Sequence, residues 1–345
     1  MKQMSTSTSA EKSASYAAAP DRRGAARISR ETISTLVVFA ICILMLLGSR
    51  FISPNLGSWA QVQTVMVLAS FLVVLSFGQG LVILTGGLDL SLPALITLGG
   101  VLATSLVGAG NPGAWYLLPL VVVICAGVGL ATAIGVVWLK VPPFIMTMAT
   151  SIIVASVALG MTKGTPRGAS PEALTWLMKS QLAGVPLPVV FLILFVAFGW
   201  LVQSRSTLGR YLYALGTNPE AARIAGIPML TAQVAPYVIS AACAGFTGMM
   251  LAGYSNGATL RMGDNYMLPS IAAVVIGGSS ILGGSGSFLG TVGGAILLTT
   301  LGTIISAIGL QFGLRTIIEG AIILVALLLL RDEVFEKIRA LVRKG

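Results

Sequence analysis

The sequence predicts an all-α polytopic membrane protein of about ten transmembrane helices, with both termini in the cytoplasm. Hydrophobic residues make up 56% of the 345 residues, charged residues only 9%, and the mean hydropathy is +0.94. Soluble domains carry roughly 25% charged residues, so a soluble globular protein is excluded. Apolar spans of about 20 residues, joined by short loops, account for the length.

The positive charge of the chain is distributed as membrane orientation requires. The net charge is +10, but six of the 21 Lys and Arg precede residue 32 and five follow residue 330. With the N-terminus inside, 15 of the 21 fall in predicted inner segments and 6 in outer ones. Because cytoplasmic loops carry the excess of Lys and Arg, this distribution favours cytoplasmic termini and no nucleic-acid site.

The predicted domain organisation has three parts. Residues 1–32 are a disordered cytoplasmic leader, residues 33–330 a transmembrane domain, and residues 331–345 a basic cytoplasmic tail. An outer loop, 162–185, and an inner loop, 204–230, are long enough to carry structure of their own. The predicted spans are 33–48, 59–86, 92–109, 115–138, 143–161, 186–203, 231–253, 267–283, 287–309 and 312–330.

The composition excludes most catalytic chemistry. Histidine is absent, and Cys42, Cys125 and Cys243 each lie within an apolar run, as expected of small core residues. The sequence contains no metalloprotease or serine-hydrolase motif. It also lacks a phosphate-binding loop, and no lysine occurs between residues 180 and 336. We therefore expect no enzyme activity, no metal site and no cofactor bound by this chain.

The inner loop contains a short predicted helix. Asn218 can cap it, the proline that follows suits the first position, and Glu220 complements the positive helix end. Arg223 lies near the other end, and Gly226 can adopt the left-handed conformation that terminates a helix. Such a short helix is marginal alone, so a partner is expected to stabilise it. The plainer alternative is a solvated connecting loop.

A second segment interrupts the apolar stretch 60–109, which would be about 75 Å long as one helix. The interruption predicts a hairpin or a discontinuous helix. The favoured interpretation is that Asp89 caps the following helix at the inner surface. The alternative, compatible with it, is a hinge or a part of the translocation path, since an acid is functional by default if it lies within the membrane. The residues of the interruption are Thr85, Gly86, Gly87, Asp89 and Ser91.

Small residues indicate close helix packing. Gly286, Gly290 and Gly294 lie four residues apart, which would place them on one face of a helix as a packing stripe. Contact with a ligand is the alternative. Arg315 and Glu319 are spaced to pair along the last span, either as a structural pair or as part of a path.

Four blocks of the sequence match motifs of known proteins. Residues 220–226 (EAARIAG) are similar to the EAA-type coupling motif of ABC importer permeases, and residues 214–218 (ALGTN) to the stretch before it. Together with residues 82–91 (VILTGGLDLS) and 271–287 (IAAVVIGGSSILGGSGS), they resemble the ribose-type sugar permease family of ABC importers. The resemblance covers roughly residues 60–330. Residues 267–270 (MLPS) depart from it, because many members have an acid there.

The resemblance implies the membrane subunit of an ATP-driven importer for a monosaccharide or similar small polyol, in the bacterial inner membrane. It also implies a separate ABC ATPase, often with tandem domains, which binds ATP and Mg²⁺. A periplasmic sugar-binding protein and a second copy or related permease would complete the assembly within the lipid. The residues implied in ATPase coupling are Gly216, Asn218, Glu220, Ala221, Ala222, Arg223 and Gly226.

An ion-coupled secondary transporter is the second interpretation. Such carriers place several acids or histidines near the middle of the membrane. This chain offers Asp89, Glu319 and no histidine for that purpose.

Overall fold

The structure is a computed structural model and describes residues 30–51, 56–108, 112–166 and 168–310, with isolated positions between 313 and 324. Most of the predicted leader, the basic tail and the pair Arg315–Glu319 lie outside the described residues.

The described residues form twelve α-helices and one small hairpin. Short π-helical turns, Ala103–Val107 and Leu201–Arg205, continue α3 and α7, and 3₁₀ turns precede α4 and α11 at Pro112–Leu117 and Asp264–Tyr266. The two-residue strands β1 (Gln181–Leu182) and β2 (Val185–Pro186) pair antiparallel in the outer loop. The helices are α1 (Arg30–Ser49), α2 (Trp59–Leu84), α3 (Leu92–Leu102), α4 (Leu118–Val137), α5 (Pro143–Thr162), α6 (Glu172–Lys179), α7 (Leu187–Trp200), α8 (Thr207–Thr217), α9 (Pro219–Ile224), α10 (Met229–Ser255), α11 (Met267–Ile276) and α12 (Phe288–Ala307).

The helices confirm an all-α polytopic membrane protein. Among the described residues, six helical segments are long and apolar enough to cross a membrane, and three shorter apolar segments accompany them. The tenth predicted span, 312–330, falls largely outside the described residues. One predicted span, 267–283, is wrong in its second half. Its helix ends at Ile276, because the glycine- and serine-rich residues that follow favour turns.

The bundle is built around α2, α3 and α10. All eleven residues of α3 are buried. In the most apolar stretch of α2, 89% of the residues are buried inside the protein, against 22% in the corresponding stretches of α5 and α7. An added Cβ at Gly99 of α3 would lie 2.2 Å from the carbonyl oxygen of Gly245 on α10. Small residues thus bring the backbones of the central helices close together, as in other membrane bundles, and leave α5 and α7 at the periphery.

The connections between helices segregate to the two ends of the bundle. At the end predicted to be cytoplasmic, here the inner end, the backbone N–H of Gly284 donates to the carbonyl of Leu84 at 2.9 Å. At the opposite, outer end, the side-chain amide of Gln63 donates to the carbonyl of Gly184 at 2.7 Å. Predicted inner connections therefore contact inner ones, and outer connections contact outer ones.

Candidate functional site

The predicted helix of the inner loop is present as α9, at the end of an arm that begins with α8. The Ser206 hydroxyl accepts from the N–H of Gly209 at 3.0 Å and caps α8. The Asn218 side-chain oxygen accepts from the N–H groups of Glu220 and Ala221, both at 3.0 Å, and caps α9. Gly226, at φ +77°, follows the end of α9. The residue types of the loop therefore form two short helices in succession, and Asn218 both ends α8 and caps α9.

The surface of α9 has a buried and an exposed side. Ala222 is 3% exposed, whereas Ile224 is 79% exposed. The Arg223 guanidinium donates to the Glu220 carboxylate at 2.6 Å, and both side chains are about two-thirds exposed. An ion pair this exposed contributes at most about 1 kcal/mol to stability. The exposed side therefore combines two charges with a large apolar side chain, Ile224.

The arm is held tightly against the bundle through α8. A Cβ at Gly216 would lie 2.0 Å from the carbonyl oxygen of Leu84, the last residue of α2. The Tyr213 hydroxyl donates to the carbonyl of Gly286 at 2.6 Å and accepts from the Gln203 side-chain amide at 2.9 Å. The arm thus contacts the inner end of α2 and the loop that leads into α12. Displacement of α9 would therefore move the inner ends of both helices.

The segment 85–91 enters the bundle between α2 and α3 and carries a buried acid. Asp89 is 1% exposed. Its carboxylate accepts from the Ser91 N–H at 3.0 Å and hydroxyl at 2.5 Å, and from the Ser240 hydroxyl of α10 at 2.8 Å.

Asp89 does not occupy the cap position that the sequence favours. Ser91 stands at the start of α3 and makes no side-chain capping bond. Residues 87–90 are non-helical, so Asp89 lies two residues earlier and reaches across to α10 instead. One carboxylate oxygen of Asp89 does accept from the backbone N–H of Ser91. The other accepts from the Ser240 hydroxyl and so links the start of α3 to α10.

The other residues of this segment shape the turn. The Thr85 hydroxyl donates back to the carbonyl of Val82 at 2.8 Å, and Gly86 has φ +80°. A Cβ at Gly87 would lie 2.6 Å from the hydroxyl of Tyr237 on α10. A hinge or path role for these residues stays a prediction.

The predicted glycine stripe is only partly helical. Gly290 and Gly294 lie on α12 and face α11, where an added Cβ would be 1.9 Å from the carbonyl oxygen of Gly277 and 2.2 Å from that of Ala273. Gly286 is not on this helix, because Ser287 caps α12 and the helix begins at Phe288. The placement of Gly286 on a common helix face is therefore wrong.

Sequence reasoning missed one further irregular segment, residues 256–266. It folds back into the bundle after α10, and a Cβ at Gly263 would lie 2.2 Å from the carbonyl oxygen of Pro93 in the first turn of α3. The available signal was the short apolar run of α11 behind a polar stretch, since unusually short hydrophobic segments mark broken helices in transporters.

These features define a class of protein. A bundle of apolar helices with two irregular segments inside it, and a small charged arm at one end, is typical of the membrane domain of a transporter. Residues 61–327 match the family described as "Branched-chain amino acid transport system / permease component". The chain belongs to this family, and within it to the ribose-type ABC permeases.

Curated relatives agree over most of the chain. The probable ABC transporter permease protein y4mJ of Sinorhizobium fredii is 31% identical over 85% of this chain and 88% of its own. The ribose import permease protein RbsC of Escherichia coli K12 is 30% identical over 84% and 91%. The autoinducer 2 import system permease protein LsrD of Yersinia pestis is 27% identical over 85% and 88%. No solved structure matches the chain.

Membership of the family establishes the role of the chain within its system. It is the multi-pass inner-membrane permease subunit of an ABC importer and is not an enzyme, because ATP is hydrolysed by a separate subunit. An ATPase and a periplasmic binding protein are its partners.

Proposed function

We propose that the chain carries a monosaccharide or similar small polyol across the membrane, powered by an ATPase that docks on the α8–α9 arm. The names of the relatives support the cargo, since one imports ribose and another autoinducer 2. The composition is also suitable, because a neutral polyol needs no fixed countercharge and charged residues make up only 9% of the chain.

The geometry of the arm is the observation that carries the coupling proposal. The exposed side of α9 presents Glu220, Arg223 and Ile224 at the inner end. Its support, α8, contacts the last residue of α2 through Gly216. ATP-driven closure of the ATPase would therefore displace α9 and, through α8, the inner ends of the central helices.

The proposed assembly has two permeases, identical or related, and an ATPase with tandem nucleotide-binding domains that holds the ATP and Mg²⁺. The permease would have about ten spans, with the leader 1–32 and the tail 331–345 in the cytoplasm. This orientation places α9 on the side where ATP is available, and it follows from the distribution of Lys and Arg.

An ion-coupled carrier is not favoured. Family membership points to an ATPase-driven system. Asp89, the acid that such a carrier would use, is already bound to Ser91 and Ser240.

The coupling proposal is tested by reversing a charge on α9. Glu220→Arg should abolish copurification of the ATPase and ATP-driven uptake, because it removes the pair with Arg223 and places two positive charges on the docking surface. The matched control is Glu172→Arg, which changes an exposed first-turn acid on α6 in the outer loop and should leave ATPase copurification intact.

Folding is checked separately, by membrane insertion and by size-exclusion profile, and both should be unchanged in Glu220→Arg. Wild-type ATPase binding and uptake in this variant would show that α9 is not the coupling element. Uptake into proteoliposomes that is driven by an ion gradient, without any ATPase, would overturn the whole proposal.

A further inference from the structure

The second half of the segment 256–266 lies at membrane depth, although the sequence assigns it to an outer connection. Its first residue, Asn256, is at the outer end, where its side-chain oxygen accepts from the Thr175 hydroxyl of α6 at 3.5 Å. The segment precedes α11, which has ten residues and is only about 15 Å long. α11 packs antiparallel on the inner half of α12, with Gly277 opposite Gly290 and Ala273 opposite Gly294. Because both helices rise by the same distance per residue, these pairs place the start of α11 roughly 18 Å along α12 from the first residue of α12. That position lies within a hydrocarbon core of about 30 Å.

Contacts with α3 give the same depth independently. A Cβ at Gly78 of α2 would lie 2.7 Å from the Cα of Ser240, whose hydroxyl binds Asp89. Gly78 is about 9 Å along α2 from its inner end. Pro93, one turn beyond Asp89, is therefore near the middle of the bundle, and Gly263 packs directly against Pro93.

The backbone of the segment is a series of tight turns. The N–H of Met262 donates to the carbonyl of Thr259 at 3.3 Å, that of Asp264 to Arg261 at 3.1 Å, and that of Tyr266 to Gly263 at 2.9 Å. One side is closed, because Gly263 is buried and Met262 contacts Gly100 of α3. These contacts hold the segment in place without α-helical hydrogen bonds, and its last three residues, Asp264–Tyr266, form a 3₁₀ turn.

The other side of the segment is exposed and polar. Arg261 donates to the Asp264 carboxylate at 2.6 Å, and the two side chains are 86% and 42% exposed. Thr259 and Asn265 beside them are exposed as well. We call this set, Thr259, Arg261, Asp264 and Asn265, the re-entrant surface.

A membrane does not tolerate such a surface against lipid. Non-helical backbone at membrane depth occurs where it is buried in protein or lines a water-filled cavity, and charged side chains there mark substrate pathways. On these grounds we infer that the re-entrant surface lines the water-filled translocation path and hydrogen-bonds the hydroxyl groups of a passing polyol. The inference deepens the proposed function and rests on it for the identity of the cargo.

The chemistry of the surface suits a neutral, hydroxyl-rich ligand. The Asp264 carboxylate accepts hydrogen bonds, the Arg261 guanidinium donates them, and the Asn265 amide does both. Because Asp264 and Arg261 neutralise each other, the surface offers charge-assisted hydrogen bonds without a net charge that would retain an ion.

Water accessibility tests the placement without any knowledge of the cargo. In the permease–ATPase complex in liposomes, Asn265→Cys should react with a membrane-impermeant maleimide. The matched control is Ile152→Cys, at the midpoint of α5, which is 65% exposed in the chain but should face lipid and remain unlabelled. The three native cysteines are buried and free. No labelling at residue 265, or equal labelling at both positions, would overturn the inference.

Transport kinetics test the contact with cargo. With radiolabelled D-ribose as the probe and the periplasmic binding protein present, Asp264→Asn should raise the KM for uptake about tenfold, the loss expected for one hydrogen bond to a charged group. D-ribose should also slow the labelling of Asn265→Cys. An unchanged KM and unprotected labelling, in a complex whose wild type imports D-ribose, would refute the contact alone. If the wild type imports no D-ribose, the cargo of the proposed function is wrong, and the labelling contrast still decides whether the surface lines water.

Discussion

Two irregular segments enter the bundle from opposite ends, and they differ in whether their charged side chains are buried or exposed. Residues 85–91 lead into α3 and bury Asp89, whose carboxylate is bound to Ser91 and Ser240. Residues 256–266 lead into α11 and leave the pair Arg261–Asp264 exposed. The second segment contacts the helix that follows the first, where Gly263 packs on Pro93 in the first turn of α3.

The two segments differ in role: the buried acid stabilises the fold, whereas the exposed pair serves transport. An acid that is buried and fully hydrogen-bonded joins helices, and removing it leaves buried polar groups without partners. An exposed ion pair contributes little to folding, so its presence at membrane depth needs a functional explanation. We therefore interpret the first segment as a structural link between α3 and α10, and the second as part of the translocation path.

The largest effect on folding is expected at the close contact between α11 and α12, which fixes the depth of α11 in the bundle. Gly290→Leu would force a side chain into the carbonyl of Gly277 and separate α11 from α12, so little folded protein should be recovered from membranes. Gly160→Leu on α5 is the control, because nothing lies within 4 Å of a Cβ there, and its yield should match wild type. Normal yield of Gly290→Leu, with a changed sugar preference instead, would mean that Gly290 contacts ligand rather than α11.

Removal of the buried acid should have the next largest effect. Asp89→Ala leaves the hydroxyls of Ser91 and Ser240 without their acceptor, which should cost about 2–3 kcal/mol of stability. The measurement is the melting temperature of the purified permease. Ser240→Ala loses one of the three hydrogen bonds and should lie between this variant and wild type. A melting temperature unaffected by Asp89→Ala would contradict the interpretation of the segment as a structural link between α3 and α10.

The smallest stability effect is expected at the exposed pair. Asp264→Asn, the variant whose KM should rise, removes an exposed ion pair and should cost less than about 1 kcal/mol. Its melting temperature should therefore stay close to that of wild type while uptake weakens. A loss of stability as large as that of Asp89→Ala would show that the two segments do not differ in the way we describe.

Much of the architecture was predictable because it depends on local chemistry. Apolar runs of membrane length predicted α2, α5 and α10 to within a few residues at each end. The short helix α9 followed from Asn218 as its cap and Gly226 beyond its end. Capping and span length involve neighbouring residues and the solvent, so neither needs the rest of the fold.

The candidate site was harder to predict, because its features depend on long-range contacts. The sequence indicated that Asp89 was unusual, but the partner that takes it away from the cap position is 151 residues further along the chain. The glycine spacing indicated close packing, yet it could not show that α12 begins after Gly286. The re-entrant surface was counted as part of an outer loop, because polar residues between two apolar runs look the same at the surface and at membrane depth.

The sequence by itself determined that this chain is a membrane bundle whose inner loop carries a short capped helix, because hydrophobicity, helix capping and charge asymmetry act over a few residues. Only the tertiary structure decided which polar residues are sealed inside and which face an opening. That distinction arises where α3, α10 and α11 meet, and close approach at glycines brings the backbones of distant segments together.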